Sequence, residues 1–157
     1  MVIVFRTARR SDARYVLGLE EACMRTYAEA LWGHWHPSDI PATFCVGGCR
    51  IIECDGVAVG CVQVSHHGDH LWIDKLYIDP DHQNRGLGGL ALRYVLDAAA
   101  QEQLPVKLCV LITNPAQAFY ERAGFVVCEE SPERRIMTTS RLKLSPAPVD
   151  TQQAARV

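Results

Sequence analysis

The strongest chemical pattern in the chain is the run LYIDPDHQNRGLGGL, from Leu76 to Leu90. A strand-like stretch ends at Ile78 and a turn containing Pro80 follows. Gln83, Asn84, Arg85, Gly86, Leu87, Gly88 and Gly89 then open a long amphipathic segment. The first N–H groups of a helix are unpaired and carry the positive end of its dipole; glycines there let a phosphate reach the backbone. Arg85 adds a cation, so the run suits a pyrophosphate. Its other reading is a tight strand-to-helix turn that binds nothing. No Lys-Ser or Lys-Thr follows the glycines, so the triphosphate loop G-x-x-x-x-G-K-[ST] is absent. The dinucleotide pattern G-x-G-x-x-G is absent too, and this strand does not open a βαβ unit.

The elements that must position this run follow from periodicity. Val2 to Arg6 reads as a strand, and Ser11 as the N-cap of a helix reaching about Ala30. In that helix Val16, Leu19, Ala22, Cys23, Thr26, Tyr27 and Ala30 recur at helical spacing. Leu31 to Pro41 reads as a loop rich in Trp, His and Pro. Arg50 to Cys54 and Val57 to Ser65 are strands joined by Asp55-Gly56, a hairpin signal. Leu71 to Ile78 is the next strand. A helix from Gly86 to Leu104 has Leu87, Leu90, Ala91, Tyr94, Val95 and Ala98 on one face. The apolar run Val106 to Ile112 predicts an inner strand. A short helix from Pro115 to Ala123 and strands at Phe125–Cys128 and Arg134–Leu142 complete the order β-α-ββ-β-α-β-α-ββ. The expected fold is α/β (α+β in some schemes), a mixed sheet with helices on both faces.

The segment strand, x-x-P-x-x-Q-x-x-G-x-G, long helix resembles motif A of the GCN5-related N-acetyltransferase (GNAT) superfamily. A second stretch, from Asn114 to Phe125, is similar to that family's motif B, N-x-x-A-x-x-x-Y-E-x-x-G-F, with one spacing shortened. The two lie in the family's order, separated by a helix and a strand, and Arg6 to Asp12 resembles the family's start. The resemblance covers roughly residues 1–142. It implies a mostly antiparallel sheet of about seven strands that splays open beside the motif A strand, with acetyl-CoA as co-substrate; that no metal is expected rests separately on the histidine and cysteine spacing. Carried over, Tyr77 and Ile78 pair with the pantetheine arm. Gln83, Asn84, Arg85, Gly86, Leu87, Gly88 and Gly89 hold the pyrophosphate. Asn114, Ala116, Phe119 and Tyr120 belong to the cofactor side of motif B.

The resemblance also implies acetyl transfer to a primary amine by direct attack through a tetrahedral intermediate. Tyr120 would be the general acid on the departing thiolate; on periodicity alone it is a core aromatic. Asp74 is the one acid within the run Leu71–Ile78 and is the candidate base, unless it pairs with Lys75 or another cation. The Ile78 N–H is the candidate oxyanion donor. Asn114 and Pro115 are read as N-cap and first-turn proline of the short helix, and Gly124 as its C-terminal stop. In this family the acceptor site is built after the first helix and in the last hairpin. Here that means Tyr27, Trp32, Trp35 and Asp39, with Glu129, Glu130 and Glu133 offering negative charge or forming a solvated turn. Two alternatives stay open: a non-catalytic acyl-CoA-binding or regulatory module, and a protein N-terminal or lysine acetyltransferase.

Composition sets the outer limits. The 157 residues are 48% hydrophobic and 22% charged, enough apolar mass for one globular domain and too much for a disordered chain. The expected division is a domain over 1–144 and a tail from Ser145 to Val157. The net charge of -2 gives no basic excess for nucleic acid or an anionic membrane. The expected partner is therefore a small-molecule or peptide amine, with a homodimer left open. No secretory pattern and no membrane-length apolar run occurs. Seven cysteines without a C-x-x-C pair fit a reducing cytoplasm. Cys45 and Cys49 could pair across Gly47-Gly48. His34 with His36, and His66 with His67 and His70, lack the bracketing cysteines of a zinc site and read as surface histidines.

Overall fold

The computed structural model describes residues 1–38 and 46–139. Asp39, Cys45, the end of the Leu31–Pro41 loop, the strand beyond Thr139 and the Ser145–Val157 tail lie outside the described residues. The elements run β1 (Ile3–Thr7), α1 (Ala13–Trp32), β2 (Cys49–Cys54), β3 (Val57–His66), β4 (Leu71–Ile78), α2 (Leu87–Glu102), β5 (Val106–Leu111), α3 (Gln117–Arg122), β6 (Phe125–Glu130) and β7 (Arg134–Thr139). They form one seven-stranded sheet in the order β1-β2-β3-β4-β5-β7-β6. Every pairing is antiparallel except β4 with β5, the pair joined by the α2 crossover. The β2–β3 hairpin turns on Asp55 and Gly56, both at positive φ (51° and 83°), as a tight two-residue turn requires.

Each face of the sheet has its own helix cover. Ile51 and Cys61 pack with Val16 and Leu19 of α1, whereas Ile52, Val59 and Ile78 pack with Leu87 and Ala91 of α2. The larger cluster, under α2 and α3, joins Ile73, Leu92, Val95, Leu108, Val110, Phe125 and Met137. Arg6 explains the charged start of the chain: its guanidinium grips both oxygens of Asp12 (2.8 and 2.9 Å) and Glu53 (2.5 Å). That fork ties β1 to β2 and to the turn before α1, and it holds the Asp12 carboxyl below the usual range.

Three local expectations are corrected. The first helix begins at Ala13 after a 3-10 turn, so Ser11 is not its cap, and it runs on through Leu31 and Trp32 to Gly33 in the left-handed region. The α2 face is rotated: Leu92 and Ala99 are buried, whereas Leu90 and Tyr94 are exposed. Tyr94 lies outside the core because its ring stacks on Phe5 of β1 at 4.3 Å. Helix α2 also stops at Glu102, with Gln103 at φ 57°, short of Leu104.

Close packing of β3 on β4 rests on one glycine. A Cβ on Gly60 would stand 2.5 Å from the Tyr77 carbonyl oxygen and 2.9 Å from Ile78 Cδ1. Gly60→Ala is therefore expected to cost about 1–3 kcal/mol through overpacking. A thermal melt of the purified variant measures this, and an unchanged melting temperature would show that the two strands separate there freely.

Candidate active site

Strands β4 and β5 pair only from Leu71 to Ile73 and from Val106 to Leu108. Beyond that point they diverge. The divergence begins at a bulge: Val64 pairs with Ile73 and Gln63 with Lys75, which leaves Asp74 without a cross-strand partner. A cavity of about 560 Å³ fills the gap, walled by β4, β5, the start of α2, α3 and the second half of α1. Past Leu19, Ala28 is the one residue of α1 that is fully buried, and Cys23, Met24 and Tyr27 line this cavity. The apolar periodicity of α1 thus continues because its last turns face a cavity.

Strand alternation decides which backbone groups face the gap. The Asp79 N–H donates to Val59 on β3 (2.8 Å), so Tyr77, two residues back, also turns its backbone toward β3. Leu76 and Ile78 turn theirs into the gap. The expectation for Tyr77 is corrected accordingly: its side chain lines the cavity, while Leu76 supplies the backbone groups. The Ile78 carbonyl already accepts from Gln83 Nε2 (3.0 Å) and from Cys23 Sγ (3.3 Å). Those two bonds tie the turn and α1 to the end of β4.

The turn after β4 is built to end close to that edge. Asp79 accepts from the Asp81 N–H (3.0 Å) and Pro80 starts a 3-10 turn. Asn84 and Gly86 then take positive φ (61° and 80°), which swings the chain into α2. Gly86 is the N-cap and no side chain caps the helix. Its first N–H groups, at Leu87, Gly88 and Gly89, therefore have no partner among the described residues and stand at the cavity wall. Gln83, Asn84, Gly86, Leu87, Gly88 and Gly89 all line it; exposed Arg85 does not.

Tyr120 marks the reacting end. It is buried between Phe119 (5.1 Å between ring centroids) and Phe125 (5.7 Å), on the cavity wall. Its hydroxyl has no hydrogen-bond partner among the described residues, although buried phenols normally have one. Burial pushes its pKa up to about 12, so the proton stays on oxygen at neutral pH. Burial likewise raises Cys23 to about 11 and raises Cys109. The two cavity thiols are thus held in the poorly nucleophilic protonated form.

Asp74 does not pair with Lys75, which turns instead to Glu20 of α1 (3.3 Å). Ser65 stands near its carboxylate and favours the ionised form, and Ser65 Oγ lies 3.0 Å from His67 Nε2. Partial burial raises its pKa against the opposing pull of Ser65, His67 and Lys75.

Asn114 has a different local role from the one its position suggests. The α3 helix starts at Gln117 with Ala116 as N-cap, so Asn114 and Pro115 precede it. Asn114 Oδ1 accepts from the Ala116 N–H (2.9 Å) in a side-chain turn, and its amide reaches Met24 Sδ (3.9 Å). Asn114, Ala116 and Phe119 still line the cavity, as does Arg122, which the sequence did not single out.

The model of the family described as "Acetyltransferase (GNAT) family" matches residues 12–125. The chain belongs to the GNAT acetyltransferase family. Three solved structures show the same fold. A PaiA N-acetyltransferase from Thermoplasma acidophilum in complex with coenzyme A is 14% identical, with a TM-score of 0.71 over 89% of this chain and 99% of that one. The ribosomal-protein-S18-alanine N-acetyltransferase from Escherichia coli is 18% identical, with a TM-score of 0.69 over 88% and 93%. N-acetylglutamate synthase from Neisseria gonorrhoeae, complexed with coenzyme A and N-acetyl-glutamate, is 20% identical, with a TM-score of 0.66 over 88% of this chain and 35% of that one. No curated protein matches the chain.

In this GNAT chain the residues assigned to the acceptor from sequence separate. Tyr27 lines the cavity; Trp32 and Trp35 do not. Trp32 carries the Arg134 guanidinium over its ring at 5.5 Å, and Trp35 Nε1 is enclosed without an acceptor among the described residues. In the last hairpin Glu130 is neutralised by Arg135 (2.7 Å), while Glu129 and Glu133 are exposed. Among the described residues no three His, Cys, Asp or Glu side chains converge as metal ligands, and no helix is long and apolar enough to cross a membrane.

Proposed function

We propose that this GNAT chain transfers the acetyl group of acetyl-CoA to a primary amine by direct attack. One observation carries the reading: an unpaired strand edge, Leu76 to Ile78, runs into an uncapped helix start at Gly86–Gly89, with the Tyr120 phenol on the wall between α3 and the gap. The groups present fit coenzyme A. The strand edge matches a peptide-like arm, and the exposed N–H groups match a diphosphate. The GNAT family match and the coenzyme A held by similar folds support the same donor.

In this reading Asp74 takes a proton from the incoming ammonium, directly or through water, and the free amine attacks the thioester carbon. The Ile78 N–H donates to the oxygen that gains charge. As the carbon–sulfur bond breaks, Tyr120 gives its proton to sulfur and recovers one from the nitrogen, which ends as an amide. One proton leaves overall. Raised thiol pKa values at Cys23 and Cys109 favour this route over an acyl-cysteine intermediate. Cys49 and Cys61 are fully buried in the apolar cluster beneath α1, where a reduced thiol serves as a small hydrophobe, and we propose a cytoplasmic location on that ground.

Release of coenzyme A from acetyl-CoA, measured across a panel of amines, tests the function; binding without release would make the chain a non-catalytic module. Asp74 has a sharper test. Its pKa is raised, so the ionised form that accepts a proton grows in as pH rises, and the free amine fraction grows in after it. Asp74→Asn should lower kcat/KM by about 10²-fold near pH 7, with the deficit shrinking toward about pH 9. Parallel profiles of variant and wild type would remove Asp74 from the chemistry.

A further inference from the structure

The gap between β4 and β5 has two sides, and the side covered by α1 carries an unusual charge pair. Asp74 and Cys109 are the first residues beyond the last β4–β5 pair, Ile73 with Leu108. Both line the cavity. Cys109 stands opposite Ile136 of β7, and Leu111 stands opposite Arg134. Side chains alternate along a strand, so Cys109, Leu111, Arg134 and Ile136 share one face of the sheet. Leu108, Val110 and Met137, on the other face, are in the core under α2. Arg134 therefore lies on the α1 face, on the strand next to β5 and two positions beyond Cys109. The contact of its guanidinium with Trp32 of α1 agrees with that placement.

Arg134 is held firmly, and among the described residues no carboxylate neutralises it. The Ser131 hydroxyl accepts from its N–H (3.0 Å) and donates to its carbonyl (3.3 Å), fixing its backbone at the head of β7. Its guanidinium makes no ion pair among the described residues; its neighbour Arg135 consumes Glu130 and Gln117. An aromatic face orients a guanidinium without neutralising it, and leaves free the N–H fork in the plane of the guanidinium itself. Arg134 stands behind the cavity wall and not on it, and its charge pulls against the burial that raises the Cys109 thiol.

Resting on the acetyltransferase reading above, we propose that the acceptor is a free α-amino acid, bound with its ammonium toward Asp74 and its carboxylate on the Arg134 fork. A simple cationic amine would meet Asp74 with favour but Arg134 with none. A zwitterion satisfies both, and the planar carboxylate matches the paired donors of a guanidinium. An N-terminal peptide carries an amide where this site offers a cation, and so leaves Arg134 unused.

The test is a competition between matched acceptors. Coenzyme A release is measured with free amino acids, with their carboxamides, with the corresponding decarboxylated amines and with short peptides sharing the same first residue. Wild type should prefer free amino acids over the carboxamides by at least about ten-fold in kcat/KM, the scale of one charge-assisted hydrogen bond. In Arg134→Gln that preference should collapse through KM. Arg134→Lys, which keeps the charge but not the fork, should restore part of it. Equal use of acid and amide, a preference for peptides, or a preference that survives in Arg134→Gln would overturn the proposal while leaving acetyl transfer intact. Absence of release with every acceptor class would overturn both, and is distinguished by the silence of the carboxamides as well.

Discussion

Tyr120→Phe is expected to reduce kcat by about 10²–10⁴-fold, the range that a positioned general acid supplies, with acetyl-CoA affinity unchanged. Tyr120 sits between Phe119 and Phe125 and its hydroxyl has no partner among the described residues, so removing that oxygen breaks nothing in the resting protein. The ring that packs the cluster remains, and the melting temperature should hold. A group that acts only as the thiolate departs affects the transition state and not the bound ground state; the loss therefore falls on kcat and kcat/KM together. Because burial holds the phenol near a pKa of about 12, the wild type should show no alkaline limb from this group below about pH 10. Single-turnover and steady-state assays on the folded variant decide the matter. Full activity would make Tyr120 a packing residue.

What the sequence discloses of this fold is its local chemistry. Asp55-Gly56 specifies its hairpin because both residues tolerate the positive φ they adopt. The glycines from Gly86 onward specify an uncapped helix start because the N-cap residue, Gly86, has no side chain to cap with. Strand β5 is readable as an inner strand because Val106, Leu108 and Val110 are buried between two neighbours. Motif spacing also carries Gln83, Asn114, Ala116, Phe119 and Tyr120 to one cavity, where the structure places them.

The remainder depends on contacts between distant segments. The bulge that frees Asp74 from its partner strand leaves no trace in LWIDKLYI; it arises from the register of β3. The face of α2 is misread at Leu90 and Tyr94 because Phe5, some ninety positions earlier in the chain, takes the Tyr94 ring. Asn114 has the composition of an N-cap, and only the start of α3 at Gln117 shows that its side chain closes the preceding turn instead. Arg134 is one cation among several in its hairpin until Trp32 is laid beneath it. Periodicity reports which residues avoid water. It does not report whether a core or a cavity wall receives them, as Cys23 and Tyr27 illustrate.

Gly88→Val should weaken acetyl-CoA binding by about 10–100-fold, the loss of one or two hydrogen bonds to a charged phosphate. The position discriminates because the helix itself has room there. A Cβ on Gly88 would meet Phe119 Cζ at 3.6 Å and Ile78 Cγ1 at 3.9 Å, which is ordinary contact. Gly86 is a poorer probe, since its φ of 80° would strain any side chain and confuse folding with binding. Gly88→Ala separates the two effects further. Gly88 is the second residue of α2, where alanine gains less than the ~1 kcal/mol of a helix interior, so the melting temperature should hold or rise slightly while affinity falls. Opposite movements of stability and binding from one methyl group are what an occupied phosphate cradle requires. A structural turn that binds nothing would improve in stability and leave the coenzyme A dissociation constant where it was. Calorimetric titration of both variants with coenzyme A, beside their thermal melts, reads that difference directly. Unchanged affinity in Gly88→Val would move the pyrophosphate away from the start of α2.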